Sequence, residues 1–255
     1  MSKPIAPSRL LAGACLALIA ATAAGAALAE PNITGRWARY PRPASQTPPD
    51  PKLAPPRAGE PELKEPYAAA FKELRRKQRE SDEKGEPLAN GGAECIPGGV
   101  PSMMGAIYPI EILQTPKQIT VIAEAGSEVR RIYLDEKSPP LEDIPPGYYG
   151  ASYGAWKGNE LTVETLGVRE DVRYRDIPHS SKLKIVEHFK LVSPDVLHDT
   201  VTFEDPDYLA KPYTVTFAYQ RLPDYKMLEY VCENNRSYVD ANGVTRMKLD
   251  PESKK

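Results

Sequence analysis

The chain has 255 residues, with 33 Lys and Arg against 35 Asp and Glu, for a net charge of −2. That near-balance excludes a nucleic-acid binder working through bulk positive charge, and a polybasic membrane-surface protein. Apolar residues at 41% supply material for a core, while 27 Pro beside 17 Gly disfavour an all-helical bundle.

Met1 to Ala29 reads as a secretory signal. Lys3 and Arg9 form a positive start, Leu10 to Leu28 carries no charge, and Ala27-Leu28-Ala29 supplies an A-x-A cleavage pattern. The alternative is an uncleaved anchor, since about 19 apolar residues can just span a bilayer. The run is rich in weakly apolar Ala, which favours cleavage. Cys15 lies ahead of most of the hydrophobic stretch, so lipidation is not expected. No later run is long enough to cross a membrane, and the expectation is a periplasmic or secreted protein without a transmembrane segment. Cleavage removes Cys15 and leaves Cys95 and Cys232. Two cysteines in an exported chain favour one disulfide, worth on the order of 3–5 kcal/mol for a loop of this length, with free thiols as the alternative. With no C-x-x-C and no His at ligand spacing from either Cys, no metal site is expected.

From Tyr40 to Pro66 the chain is Pro-rich and should run as an extended arm across the body. A helix is predicted over 65–83. Tyr67, Ala70, Phe71 and Leu74 make a short apolar stripe, Pro66 suits the first turn and Gly85 the stop. Residues 85–99 read as loop. From 106 onward the period changes to two, predicting strands at about 107–114, 118–124, 129–135, 150–156, 160–166, 184–192, 196–204 and 213–221. Gly126-Ser127 and Gly158-Asn159 suit two-residue turns, and Ser193-Pro194-Asp195 a three-residue one. The spacing of Met227, Leu228 and Val231 predicts a short closing helix over 224–235 carrying Cys232. The expected organisation is a signal (1–29), an arm plus helix (30–92), a β domain (93–236) and a polar tail (237–255).

Five motifs occur in order: Cys95-x-Pro97-x-Gly99-x-Pro101, Arg131-Ile132-Tyr133-Leu134-Asp135, the Gly154-x-Trp156-x-Gly158 run into Val163-Glu164-Thr165, Pro178-His179-Ser180, and Glu229-Tyr230-x-Cys232-Glu233-Asn234. Together they resemble a family of secreted proteobacterial and acidobacterial hypothetical proteins. The resemblance implies export and brings no activity with it. Gly35-Arg36-Trp37 is similar to the G-x-W opening of lipocalins. The fold expected is mainly β: an antiparallel meander of about eight strands forming a lipocalin-like barrel or a strongly curved sheet, with a Pro-rich N-terminal arm and one N-terminal helix.

Hairpin registers place Glu187 and Asp199 among Ile185, Phe189, Leu191, Leu197, Val201 and Phe203 on one otherwise apolar face. Two such carboxylates raise each other's pKa, which suits a general acid; alternatively an Arg neutralises them in a structural pair. Arg130, on an inward face with Ile119, Val121 and Ile132, is the leading partner, and Arg221 a second. Small residues beside Trp156 leave room for a ligand cavity with Trp156 as its wall, and Arg130, Tyr153 and Phe189 are further ligand-binding candidates. The loop 167–183 holds His179, whose ring Asp176 could orient for acid–base work, or which could simply brace the turn.

No dinucleotide, P-loop or H-E-x-x-H motif is present, so no cofactor is expected. Asp240-Ala241-Asn242-Gly243 begins like a calcium loop but has the wrong spacing and no closing Glu. The sequence favours an exported binder of a small apolar or aromatic molecule, with a cofactor-independent lyase or isomerase as the alternative. It carries no signal for nucleic acid and none for oligomeric state.

Overall fold

A computed structural model describes residues 30–41, 48–86, 88, 95–105, 107–232 and 237–247. The expected signal, with Cys15, lies outside the described residues.

Nine strands close into a barrel in sequence order. They are β1 (Gly35–Arg39), β2 (Ile110–Gln114), β3 (Gln118–Ala123), β4 (Val129–Leu134), β5 (Ala151–Lys157), β6 (Glu160–Leu166), β7 (Lys184–Ser193), β8 (Val196–Glu204) and β9 (Tyr213–Arg221). Eight correspond to the predicted strands. The ninth is β1, from the segment expected to belong to the arm, which joins β2 to β9 and completes the ring. Going around a closed ring, each antiparallel step reverses the direction, so nine strands cannot all be antiparallel. One pair must be parallel, and it is β4 with β5, joined by the loop 135–150.

The G-x-W segment makes the closure. Trp37 is fully buried, its indole donates to the Ile33 carbonyl, and the Arg221 guanidinium lies 4.2 Å over its ring. A Cβ on Gly35 would stand 2.8 Å from that guanidinium, so a small residue two before the Trp is needed for the stack. This also settles Arg221, the second candidate for an interior pair: it is committed to Trp37 and to the Thr34 carbonyl.

The β7–β8 hairpin has the predicted register, with Leu191 opposite Leu197, Phe189 opposite Asp199 and Glu187 opposite Val201. Its turn is two-residue with a bulge at Val192, not three-residue. The β3–β4 turn is longer than expected. Val121 pairs with Arg130, and both Gly126 (φ 70) and Ser127 (φ 50) are left-handed. The register is two residues from that of a tight Gly126-Ser127 turn. A shift of two keeps every side chain on its face, so Ile119, Val121, Arg130 and Ile132 still point inward.

The helix α1 (Tyr67–Glu83) matches its prediction and buries only Phe71. Pro66 precedes it and Gly85 follows in the left-handed region (φ 70). The arm docks on the body through Leu63 bridging Leu209, the Tyr213 hydroxyl on the Gly59 carbonyl and His198 on the Leu53 carbonyl.

The predicted helix over 224–235 does not form in its described part, 224–232, which is an extended strap. Leu228 and Val231 are 65% and 61% exposed, so the predicted stripe is not buried. Instead Glu124 accepts hydrogen bonds from the Tyr225 hydroxyl and the Leu228 amide, both 2.8 Å. The Cys95–Cys232 disulfide ties down the end of the strap. Cys95 opens a turn whose Gly98 and Gly99 amides both donate to the Glu128 carboxylate at 2.9 Å. Gly99 is left-handed (φ 65), and a Cβ there would collide with the Tyr148 carbonyl, which accounts for a glycine in the first motif.

The tail, expected to be merely polar, contains a hairpin of β10 (Ser237–Val239) and β11 (Thr245–Met247). Asp240 accepts from the Asn242 and Val244 amides and from Arg246, so the calcium-like start is a turn lock.

Candidate functional site

Two places on the barrel carry chemistry. The first is a polar cluster inside the wall. Arg130 is 1% exposed, Glu187 and Asp199 0%. The Arg130 Nη1 donates to Glu187 Oε1 at 2.7 Å, and Nη2 donates to Glu187 Oε2 and to the Thr165 hydroxyl. Ser152 Oγ accepts from Nε and Nη2 at 3.2 and 3.1 Å. Cross-strand order assembles the group: Ser152 faces Thr165 across β5–β6, and Val163 faces Glu187 across β6–β7. The room expected beside Trp156 is thereby taken. The guanidinium fills the space over Ser152 and Thr165, while Ile132 and Val163 crowd Gly154.

Burial is the largest influence on the Arg130 guanidinium and pulls its pKa down, but the charge and hydrogen bonds of Glu187 and the charge of Asp199 outweigh it, so the net shift is up. Asp199 is different. Neither of its oxygens has a hydrogen-bond donor among the described residues. Burial first, and the Glu187 charge second, hold its pKa well above the usual carboxylate range against the pull of Arg130. One cation therefore serves two carboxyls, and the second holds its proton more tightly than an exposed carboxyl does. Tyr219, buried above them, is raised by its own burial and by both acids, and its hydroxyl donates to the Met104 carbonyl at 2.7 Å.

The other expected residues are dispersed. His179 is 5% exposed, with Nδ1 facing the Ser180 carbonyl and Nε2 the Val172 carbonyl. The expected Asp176–His179 contact is not made, because Asp176 accepts from Gln78 of α1. Tyr153 packs on Tyr133, its partner in register, with ring centroids 5.9 Å apart, and points to the outer face. Phe189 is core, and Trp156 is half-buried with its indole N–H unpartnered among the described residues.

The second place is a cleft of about 620 Å³ in the barrel wall. β1 pairs with β9 only over Tyr219 to Arg221, and the Tyr40 amide adds one bond to the Ala218 carbonyl. Pro41 then has no amide to donate, and among the described residues no strand pairs with Tyr213 to Phe217 on that side. The arm at 55–58, the turn Ser102–Gly105 and the Tyr174–Arg175 turn surround the gap. Its floor is Met104, Phe217 and Tyr219. Tyr174 stacks on Phe203 at 5.5 Å and meets Phe217 edge-on at 5.7 Å.

Sequence reasoning missed this site, because its walls come from four distant segments with no shared motif. Only Tyr174 and Arg175 belong to a loop it had singled out. In comparisons with known proteins, no family model matches the chain and no curated protein matches it. Among the described residues no group of His, Cys, Asp and Glu is placed to hold a metal, and no helix is long and apolar enough to cross a membrane.

Proposed function

We propose that the chain is an exported small-molecule-binding protein whose ligand sits in the wall cleft between β9, the arm and the Tyr174 turn. The observation that carries this reading is the β1–β9 ladder, which among the described residues stops at Tyr40 and leaves the half-buried rings of Phe217 and Tyr174 facing a cleft in an otherwise closed barrel. Its volume falls within the range usual for ligand sites, roughly 300–1,000 Å³. A somewhat larger groove of about 830 Å³ runs beside α1, but there Arg75, Gln78 and Asp176 already satisfy one another. The disulfide and the signal-like start support export.

The reading moves the ligand from the barrel interior, where the sequence suggested it, to the wall. Acid–base catalysis receives less support. Glu187, Asp199 and His179 are all enclosed, and a substrate atom would have to reach them past Phe217, Tyr219 or the loop backbone.

The test is native mass spectrometry of protein taken from its own periplasm, followed by ring-resonance mapping with whatever is retained. Shifts at Tyr174 and Phe217 are expected. Shifts confined to the α1 groove, or to the Trp156 region, would overturn the assignment.

A further inference from the structure

The wall cleft has a charge pattern that its shape alone does not require. Its lining includes Arg39, Arg57 and Arg175 and, among the described residues, no Lys, Asp or Glu. The whole chain has more acidic than basic residues, so three arginines without an acid are not a sample of the average surface. Each comes from a different segment: the end of β1, the arm, and the turn before Ile177. All three are exposed, and among the described residues none has a carboxylate within ion-pair distance. By contrast Arg36, Arg76, Arg169 and Arg246 all have one.

The backbone fixes two of these positions. Arg39 is the last residue of β1, opposite Tyr219. Arg175 lies in a left-handed turn (φ 50) whose carbonyl accepts from Arg75 of α1 at 3.1 Å, and its guanidinium stands 5.7 Å from the Tyr174 ring centroid. Burial raises the Tyr174 hydroxyl, and the charges of Arg175 and Arg39 pull it back. Arg39, Arg57 and Arg175 thus all line the one cleft that Tyr174 and Phe217 line.

Resting on the proposed binding site, we infer that its ligand is a small organic acid: a carboxylate or phosphate ester for the guanidiniums, on a planar apolar body for the half-buried Tyr174 and Phe217. Guanidinium forks match such oxyanions with paired hydrogen bonds, and their weak hydration suits a half-buried rim better than ammonium would. Like charges gathered without a counter-charge repel one another, and a bound anion relieves that repulsion, so binding weakens as salt rises.

The experiment uses the mature chain with its disulfide intact and three probes that share one ring system: 1-naphthoate, 1-naphthyl phosphate and the neutral 1-naphthamide, the last matching the carboxylate in bulk. Affinities are measured by calorimetry at low and high salt, and positions by the Tyr174 and Phe217 ring resonances. Both anions should bind at least about tenfold more tightly than the amide. Arg39→Gln, Arg57→Gln and Arg175→Gln should each weaken the anions severalfold and leave the amide unchanged. Thermal midpoints serve as the folding control for these exposed sites. If the amide binds as well as the anions and the triple variant binds all three alike, with both rings still shifting, the anion assignment is wrong and the cleft stands. If no probe moves either ring at millimolar concentration, both are wrong. Anion affinity unchanged in the triple variant also overturns the inference.

Discussion

Replacing Arg130 by Met tests whether the interior cluster is a shared-charge device. The guanidinium is 1% exposed and donates to Glu187, Ser152 and Thr165. Met keeps much of the volume but leaves two carboxyls facing each other without a cation. Breaking one side of a buried pair costs about 3–5 kcal/mol, a large share of a typical stability of 5–15 kcal/mol. The pH dependence is more telling than the size. In the parent, Asp199 is held well above its usual range, so the folded state keeps a proton that the unfolded chain loses near pH 4. Stability then falls by about 1.4 kcal/mol per pH unit above that point, until the folded-state value is passed. In Arg130→Met the guanidinium that pulls Asp199 down is gone, so its carboxyl holds the proton to higher pH and the fall should continue beyond the point where the parent levels off. Urea unfolding of disulfide-intact protein between about pH 5 and pH 8 measures it, with refolding at the acidic end if the variant is unfolded at neutrality. The gap between variant and parent should widen as pH rises. A gap below about 1 kcal/mol at neutral pH, or one constant with pH, would refute the assignment of protons to this cluster.

Asp199→Asn should flatten the alkaline fall of the parent, so that the variant gains on it by about 1.4 kcal/mol per pH unit; parallel pH–stability curves would count against a retained proton on Asp199. Replacing Cys95 and Cys232 together by Ser should lower stability by about 3–5 kcal/mol. Because the strap is otherwise held mainly by Glu124 and Ser127, amide exchange should rise first at 225–232, and unchanged protection there would show that the disulfide is not its anchor.

Much of the barrel could be read from the chain alone because alternation is a local property. Side chains of a strand alternate faces whatever the strand pairs with, so the inward set Ile185, Glu187, Phe189, Asp199 and Val201 follows from sequence and one turn. The same rule kept Arg130 inward although its hairpin register was two residues off. A guanidinium on one of the two carboxylates, Arg130 first, was anticipated on chemical grounds, since a buried carboxylate at an apolar position must be neutralised or matched; the structure puts it on Glu187.

Tertiary structure alone decided the rest, because it depends on which distant segments meet. Whether β1 belonged to the arm or to the ring could not be settled locally, and its inclusion made the strand number odd and one pair parallel. The strap's helical spacing lost to Glu124 and the disulfide, since spacing without a surface to bury against contributes little. The cavity expected beside Trp156 was filled by a side chain arriving from β4. The open cleft arose where Pro41 ended a ladder between the first strand and the last, and its three arginines come from residues 39, 57 and 175. No periodicity links such positions; only closure of the barrel brings them to one rim.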